Sequence, residues 1–262
     1  MHPKDKVCVV TGAAGGIGEA IARAYAAAGA RGVVVADLPA AGDRLNKAAR
    51  EIGGLAVAGD IGREADVQAL VAAAEAKFGP VDIFFSNAGI ARPGHEDALD
   101  ADWEASWRVH VMAHVYAARA LVPGMLARGS GYLLNTASAA GLLASMGSAP
   151  YGVTKHAAVA LAEHLAIQYG DRGIRVSVLC PQAVDTAMYR GAGTTAAGVD
   201  GIMKPAEVAQ AVLQAMQEER FLILSHPVVH DYMQRKAGNI DRWLAGMRRL
   251  RDKTGEGQRR GQ

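Results

Sequence analysis

The chain reads as a doubly wound α/β domain: a parallel sheet of about seven strands with helices on both faces. Three observations predict it. Short runs that are apolar throughout recur along the chain, segments with helical spacing lie between them, and a glycine-rich turn follows the first run. A strand that is apolar at every position is covered on both faces, as in a parallel sheet. Strand–helix alternation then gives βαβ units with right-handed crossovers.

The elements follow in order. Val7-Cys8-Val9-Val10 is the first strand, with helical spacing from about Ile17 to Ala28 after it. Val33 to Ala36 is the second strand and Leu55 to Ala58 a weaker third. Val81 to Phe85, Tyr132 to Asn135, Ile174 to Leu179 and Phe221 to Leu224 complete the seven. Helices are expected at about 63–78, 100–128, 150–170 and 205–218. The 262 residues, half of them hydrophobic, suit one such domain, expected over residues 1–254. The Gly-, Ala- and Thr-rich stretch near 187–203 reads as a mobile substrate loop, and 255–262 as a disordered tail.

Bulk properties exclude several function classes. With 28 basic and 26 acidic residues the net charge is only +2, which argues against a nucleic-acid-binding surface. The basic cluster at Arg248, Arg249, Arg251, Arg259 and Arg260 reads as a solvated helix end and a frayed tail. Cys8 and Cys180 read as small buried hydrophobes rather than a disulfide. The N-terminus lacks the layout of a signal peptide, and no apolar run approaches membrane-spanning length. The expected setting is the cytoplasm, with no membrane partner.

Thr11-Gly12-Ala13-Ala14-Gly15-Gly16-Ile17-Gly18 joins the first strand to the first helix. Small residues let the backbone approach a pyrophosphate, and the helix N-terminus offers it free N–H groups and a positive dipole end. No Lys-Ser/Thr pair follows the last glycine, which excludes a Walker loop. Asp37 ends the second strand nineteen positions after Gly18, near the spacing of a ribose-binding carboxylate. A carboxylate there accepts from the adenosine ribose hydroxyls and repels a 2′-phosphate. No basic residue stands in the turn or just after Asp37, Arg31 and Arg44 being the nearest. The expected cofactor is therefore NAD in preference to NADP.

Tyr151 and Lys155 stand at i, i+4 on one helix face. A free tyrosine has a pKa near ~10, and a neighbouring ammonium lowers it toward the range of a working acid/base. Lys155 can also hydrogen-bond the nicotinamide ribose. Ser138 follows the fifth strand, at the carboxyl end of the sheet where ligands bind, and could hold the substrate oxygen.

The set Thr11-Gly12-x-x-x-Gly16-Ile17-Gly18, Asp60, Asn87-Ala88-Gly89, Ser138 and Tyr151-x-x-x-Lys155 resembles the short-chain dehydrogenase/reductase family, in its single-domain branch. The matching elements span about residues 5–225. The resemblance implies a seven-stranded Rossmann sheet, NAD(P)-dependent alcohol oxidation or carbonyl reduction, and a homotetramer or homodimer. It also implies roles: Asp60 and Ile61 contact the adenine, and Asn87, Ala88 and Gly89 line the cofactor cleft. Ser138 orients the substrate oxygen, Tyr151 is the general acid/base, and Lys155 tunes it and holds the ribose. Pro181 to Thr186 approach the nicotinamide, with Val184 and Thr186 at the cofactor.

Two positions depart from that pattern. His110 stands seven positions after Trp103, where the family usually has an Asn that helps hold a proton-relay water. Histidine keeps the main-chain carbonyl, so an active enzyme with an altered relay is expected. Pro181-Gln182 stands where Pro-Gly is common. His110 and His114 also have metal-ligand spacing, but with no third ligand evident no metal is expected. A catalytically weak NAD-binding regulator on the same fold is the alternative, favoured by His110 alone.

On the substrate side, Leu142, Leu143, Met146, Ala183, Val184, Met188 and Tyr189 give a mostly apolar lining, with His95 near the rim and no evident arginine clamp. The expected substrate is a hydrophobic secondary alcohol or its ketone.

Overall fold

Residues 1–192 and 195–255 are described in the computed structural model. Its frame is a wholly parallel sheet in the order β3-β2-β1-β4-β5-β6-β7. The strands are β1 (Val7–Thr11), β2 (Gly32–Asp37), β3 (Leu55–Ala58), β4 (Ile83–Ser86), β5 (Gly131–Thr136), β6 (Ile174–Leu179) and β7 (Leu222–Ile223). All seven apolar runs are strands. The run with the weakest pattern, β3, is an edge strand with no fully buried residue, which is why its pattern is weak.

Successive residues of a strand point to opposite faces, and the two cores divide accordingly. Val7 and Val9 of β1 face a core built with α3 (Glu64–Phe78), α5 (Ala113–Ala127) and α6 (Ala149–Tyr169). Cys8 and Val10 face the other, built with α1 (Gly16–Ala27), α2 (Gly42–Glu51) and α8 (Pro205–Gln217). Both cysteines are buried and free. The chain winds outward from β1 to β3 and then crosses back to β4. The crevice at the carboxyl ends of β1 and β4 is thus the topological switch point, where ligands of such sheets bind.

Three features differ from the sequence expectations. First, α2 arises from a charged segment in which only Leu45, Ala48 and Ala49 are buried, too thin a stripe to stand out. Second, the expected helix over 100–128 is interrupted: α4 (Asp100–Trp107) passes through a π-helical turn, Arg108–Met112, into α5. Third, α9 (Val228–Gly238) and α10 (Ile240–Thr254) follow β7. Within 187–203 lie a short helix, α7 (Ala187–Ala192), and a 3₁₀ turn at Ala196–Gly198. Residues 193–194 of that segment, and 256–262 of the expected disordered tail, lie outside the described residues. Among the described residues no helix is long and apolar enough to cross a membrane.

His110 and His114 are both buried, and neither ring nitrogen of His114 has a hydrogen-bond partner among the described residues. Burial, reinforced by the charge of Lys155, lowers His110 to about 2 and His114 to about 3. Both are therefore neutral in the fold, whereas the unfolded chain protonates them below about pH 6.5. Stability is complete above that value and falls as the pH drops, because the unfolded state binds more protons. Urea melts should show a loss of about 2 kcal/mol per histidine between about pH 7.5 and 5. His114→Leu should remove roughly half of that loss; a pH-independent midpoint in the wild type would contradict it.

Candidate functional site

The carboxyl ends of the central strands open into a cleft of about 2610 Å³. A pocket for one small ligand is typically ~300–1,000 Å³, so this cleft has room for two ligands side by side. Gly12 and Ala14 to Ile17 of the glycine turn, with Asp37, Asp60, Ile61, Asn87, Ala88, Gly89, Ser138, Tyr151, Lys155, Val184 and Thr186, line it; Gly18, expected at the cofactor, instead packs beneath the turn against the Gly12 carbonyl.

The glycines do different jobs. Gly12 and Gly16 have φ of +65° and +57°, in the left-handed region. A Cβ on Gly12 would lie 2.7 Å from Ala88 Cα, and one on Gly18 would lie 2.3 Å from the Gly12 carbonyl oxygen. A Cβ on Gly16 would meet Thr186 Cγ2 at 3.0 Å, which brings Thr186 against the turn. At Gly15 a Cβ would meet nothing within 4 Å. Gly15 also caps α1 without any side-chain hydrogen bond, so the first-turn N–H groups are left to a ligand. The Asp37 carboxylate is fixed by two backbone donors, Ala14 N at 2.9 Å and Leu38 N at 2.8 Å. Arg31 is turned toward Asp82 at 3.7 Å; Arg44 lines the cleft with no carboxylate partner among the described residues.

Asn87 laces the strand ends together. Its Nδ2 donates to Thr11 O at 3.1 Å and Gly12 O at 3.4 Å, and its Oδ1 accepts from Thr136 Oγ1 at 3.1 Å. Thr11 Oγ1 in turn accepts from Asn87 N at 3.0 Å and Ala88 N at 3.2 Å. Asp60 caps its own turn, its Oδ1 accepting from Gly62 N at 2.9 Å.

Tyr151 lies in the first turn of α6, held by its N-cap: Ser148 Oγ accepts from Tyr151 N at 3.0 Å. Lys155, one turn on, is buried, and its Nζ donates to Thr136 O at 2.9 Å. Burial lowers its pKa to about 8, so it remains cationic at neutral pH. Its Nζ stands 5.6 Å from the Tyr151 ring centroid. Ser138 caps the following 3₁₀ turn, its Oγ accepting from Ala140 N at 3.1 Å. The Ser138 hydroxyl near Tyr151 favours the phenolate, but removal of the phenol from water outweighs this and raises the Tyr151 pKa. This direction is opposite to the one expected from the Lys155 ammonium alone. In this arrangement Tyr151 holds its proton at neutral pH.

His110 occupies the π turn. Its Nε2 accepts from Ile90 N at 3.1 Å and therefore carries no proton. Nδ1 carries it and donates to Thr154 Oγ1 at 2.8 Å, while that hydroxyl donates to Pro150 O at 2.7 Å. With both nitrogens engaged, His110 joins the segment after β4 to the helix that bears Tyr151 and Lys155. Its ring meets Tyr151 edge-on, with centroids 5.4 Å apart. Among the described residues no group of three or more His, Cys, Asp or Glu side chains is placed to hold a metal ion.

Leu143, Met146, Ala183, Val184, Met188 and Tyr189 line the cleft as expected from their positions. Leu142 does not: it packs against the core beneath. His95 is likewise absent from the cleft wall. The cleft-lining residues that sequence reasoning did not single out are on α9 and α10, which roof one end of the cleft. Lys236 Nζ donates to Leu142 O and Leu143 O, both at 2.8 Å. Tyr232 OH donates to Asp200 Oδ1 at 2.9 Å, and Gln182 Nε2 donates to Asp200 Oδ2 at 3.1 Å. The departure at Gln182 thus ties the segment after β6 to the roof. The roof also brings Arg235, Arg242 and Arg249 to the cleft, where no arginine was evident from the segments nearer Tyr151. The apolar spacing Trp243, Met247, Leu250 was the available signal for α10.

Residues 6–197 match the family model for short chain dehydrogenases. The chain is 37% identical over 236 residues to a 1-deoxy-11-beta-hydroxypentalenate dehydrogenase of Streptomyces exfoliatus, covering 86% of this chain and 85% of that one. Its fold matches a short chain dehydrogenase/reductase from Burkholderia phymatum, solved in complex with NAD. The TM-score is 0.83 at 29% identity, covering 92% and 96% of the two chains. An L-sorbose reductase from Gluconobacter frateurii, solved with NADPH and L-sorbose, matches with TM-score 0.77 at 29% identity, covering 86% and 96%.

The His110 network sets an expected outcome. Nitrogen-detected NMR should show His110 as the neutral Nδ1–H tautomer, with shifts constant from about pH 5 to 9; a transition near the ordinary histidine range of ~6.5 would contradict the network. Thr154→Val strands the Nδ1–H and should cost about 1–3 kcal/mol in urea unfolding, with Thr154→Ser costing less.

Proposed function

The chain belongs to the short-chain dehydrogenase/reductase family, and from that premise we propose that it is an NAD-dependent oxidoreductase interconverting a hydrophobic secondary alcohol and its ketone. The observation that carries the proposal is the convergence, in one cleft, of Ser138, Tyr151 and Lys155 with the glycine turn and Asp37. The turn fits a dinucleotide on structural grounds: an uncapped helix N-terminus for the pyrophosphate, open space over Gly15, and a fixed carboxylate at the end of β2 for ribose hydroxyls. Gly12, Gly16, Ile17, Asp60, Ile61, Asn87, Ala88, Gly89, Val184 and Thr186 would form the remainder of that site. When bound there, a nicotinamide would supply or accept the hydride.

The proton chemistry belongs to the chain. Ser138 Oγ donates to the substrate oxygen and sets its place. Tyr151, protonated at neutral pH, gives its proton to that oxygen in reduction; in oxidation it takes the proton as its phenolate. Lys155, cationic and anchored on Thr136 O, favours that phenolate and presents donors to a ribose. His110 is best read as a positioning residue, since both of its nitrogens are committed to Ile90 and Thr154. That reading leaves the alternative, a regulator that binds NAD without turnover, without a distinct feature of its own.

The substrate reading draws on the apolar walls at Leu143, Met146 and Met188. It also draws on the Streptomyces relative, whose name gives a hydroxylated carboxylate. The preference for NAD rests on Asp37, since the solved relatives hold NAD in one case and NADPH in another. A homodimer or homotetramer is supported by exposed apolar side chains on α4 and α6: Trp107, Val153 and Ile167 are 45%, 51% and 79% exposed. Two free, buried cysteines suit a reducing, cytoplasmic setting.

Screening apolar secondary alcohols with NAD, and ketones with NADH, by absorbance at the nicotinamide band should reveal turnover. Tyr151→Phe should lower kcat by about 10²–10⁴-fold while NADH binding persists; undiminished turnover in that variant would remove Tyr151 from the chemistry. The wild type should bind NADH about tenfold or more tighter than NADPH, and Asp37→Ala should narrow the gap. Tighter NADPH binding by the wild type would refute the role given to Asp37.

A further inference from the structure

The roof over the substrate end carries three arginines that pair with no carboxylate among the described residues. Seven arginines line the cleft: Arg23, Arg44, Arg92, Arg190, Arg235, Arg242 and Arg249. Arg23 pairs with Glu19 at 2.7 Å, Arg92 with Asp102 at 3.4 Å, and Arg190 with Asp185 at 2.6 Å. Arg44, on α2, lines the cleft away from the roof. Arg235, Arg242 and Arg249, all on α9 and α10, have no carboxylate partner among the described residues. Asp200, which lines the cleft beside the roof, accepts through both oxygens from Gln182 and Tyr232 rather than from an arginine.

The roof helices are also fastened, which fixes where their exposed arginines start from. Lys236 bonds α9 to the segment that follows Ser138. The Tyr232 ring, held through Asp200, packs against Trp243 with centroids 6.3 Å apart, and Arg235 lies 5.5 Å above that same ring. Arg242 follows in the first turn of α10, its N–H held by the Asn239 side chain at 2.9 Å. Arg249 is two turns further along the same face, with Gly246 between them leaving side-chain space. Trp243, Met247 and Leu250 share that face and line the cleft with them. The substrate end therefore offers apolar walls near Tyr151 and an unpaired cationic rim at the roof. That combination suits an amphipathic anion, and the guanidinium fork matches a carboxylate through paired hydrogen bonds. Uncompensated charge of one sign in a cleft also concentrates ligands of the other sign.

We infer that Arg242 and Arg249, assisted by Arg235, form a carboxylate-binding site, and that the substrate is an apolar secondary alcohol bearing a carboxylate remote from its reacting hydroxyl. The inference rests on the dehydrogenase reading for the identity of the substrate, but the anion site can be tested without turnover.

Adamantane-1-carboxylate and the neutral adamantane-1-carboxamide, matched in shape, serve as probes in calorimetric titrations of the protein with and without NADH. The carboxylate should bind about tenfold or more tighter than the amide, and the gap should shrink as salt rises from about 0.05 to 0.5 M. R242M/R249M should bring the carboxylate down to the affinity of the amide, with the melting temperature retained. Arg242→Lys should restore only part of the preference, since an ammonium lacks the fork. Arg248→Met, on the same helix but off the cleft wall, should change neither affinity. Equal binding of the two probes, or no binding of either, overturns the site. A carboxylate preference that survives R242M/R249M and R235M together overturns its assignment to these arginines. Arginine-dependent carboxylate binding, in a protein that turns over no alcohol or ketone, would uphold the site while removing the dehydrogenase reading.

Discussion

The cleft depends on one buried lacing of strand ends. Thr11, Asn87 and Thr136 stand at or just after the carboxyl ends of β1, β4 and β5, and the Asn87 side chain bonds to both threonine positions. The same amide reaches Gly12 O, so it fixes the glycine turn. Thr136 passes the constraint on, because its carbonyl receives the Lys155 ammonium. The glycine turn and the helix that bears Tyr151 and Lys155 are therefore set relative to each other by a short chain of hydrogen bonds. Amides and hydroxyls buried there would be costly if left unpaired, and that cost holds the arrangement in one form.

His110 extends the same logic to the neighbouring helix. A π turn is rare and is often found at functional sites. Here it carries a histidine whose two nitrogens bridge the segment after β4 and the first turns of α6. Burial keeps the ring neutral, so the bridge does not come and go with physiological pH. Gly89 fits beneath this bridge: a Cβ there would lie 3.6 Å from both His110 Nε2 and Lys155 Nζ. The absence of a side chain at Gly89 thus leaves the region around the Lys155 ammonium clear.

The roof is held differently. It adds no fully buried residue of α10, and its hydrogen-bonded attachments are directional. Lys236 on two carbonyls, and Asp200 between Gln182 and Tyr232, set its position over the substrate end. The strand ends place the glycine turn and Ser138, and the roof adds three arginines to the cleft wall.

Much of this was legible in the chain itself. The central strands could be read because cover on both faces leaves a continuous apolar run, while β3, at the sheet edge, leaves a weaker one. The glycine turn, Asp37, Ser138, Tyr151 and Lys155 could be read because their spacing follows from a strand, a turn or a single helical face. What tertiary structure alone decided were the effects that depend on contacts between distant segments. The pKa of Tyr151 moves up because desolvation outweighs its favourable partners. His110 becomes a strut because Ile90 and Thr154, 20 and 44 positions away, meet its two nitrogens. Leu142 turns into the core while three arginines from beyond β7 come over the cleft. Local sequence records periodicity and turn chemistry, whereas burial and charge pairing are properties of the assembled neighbourhood.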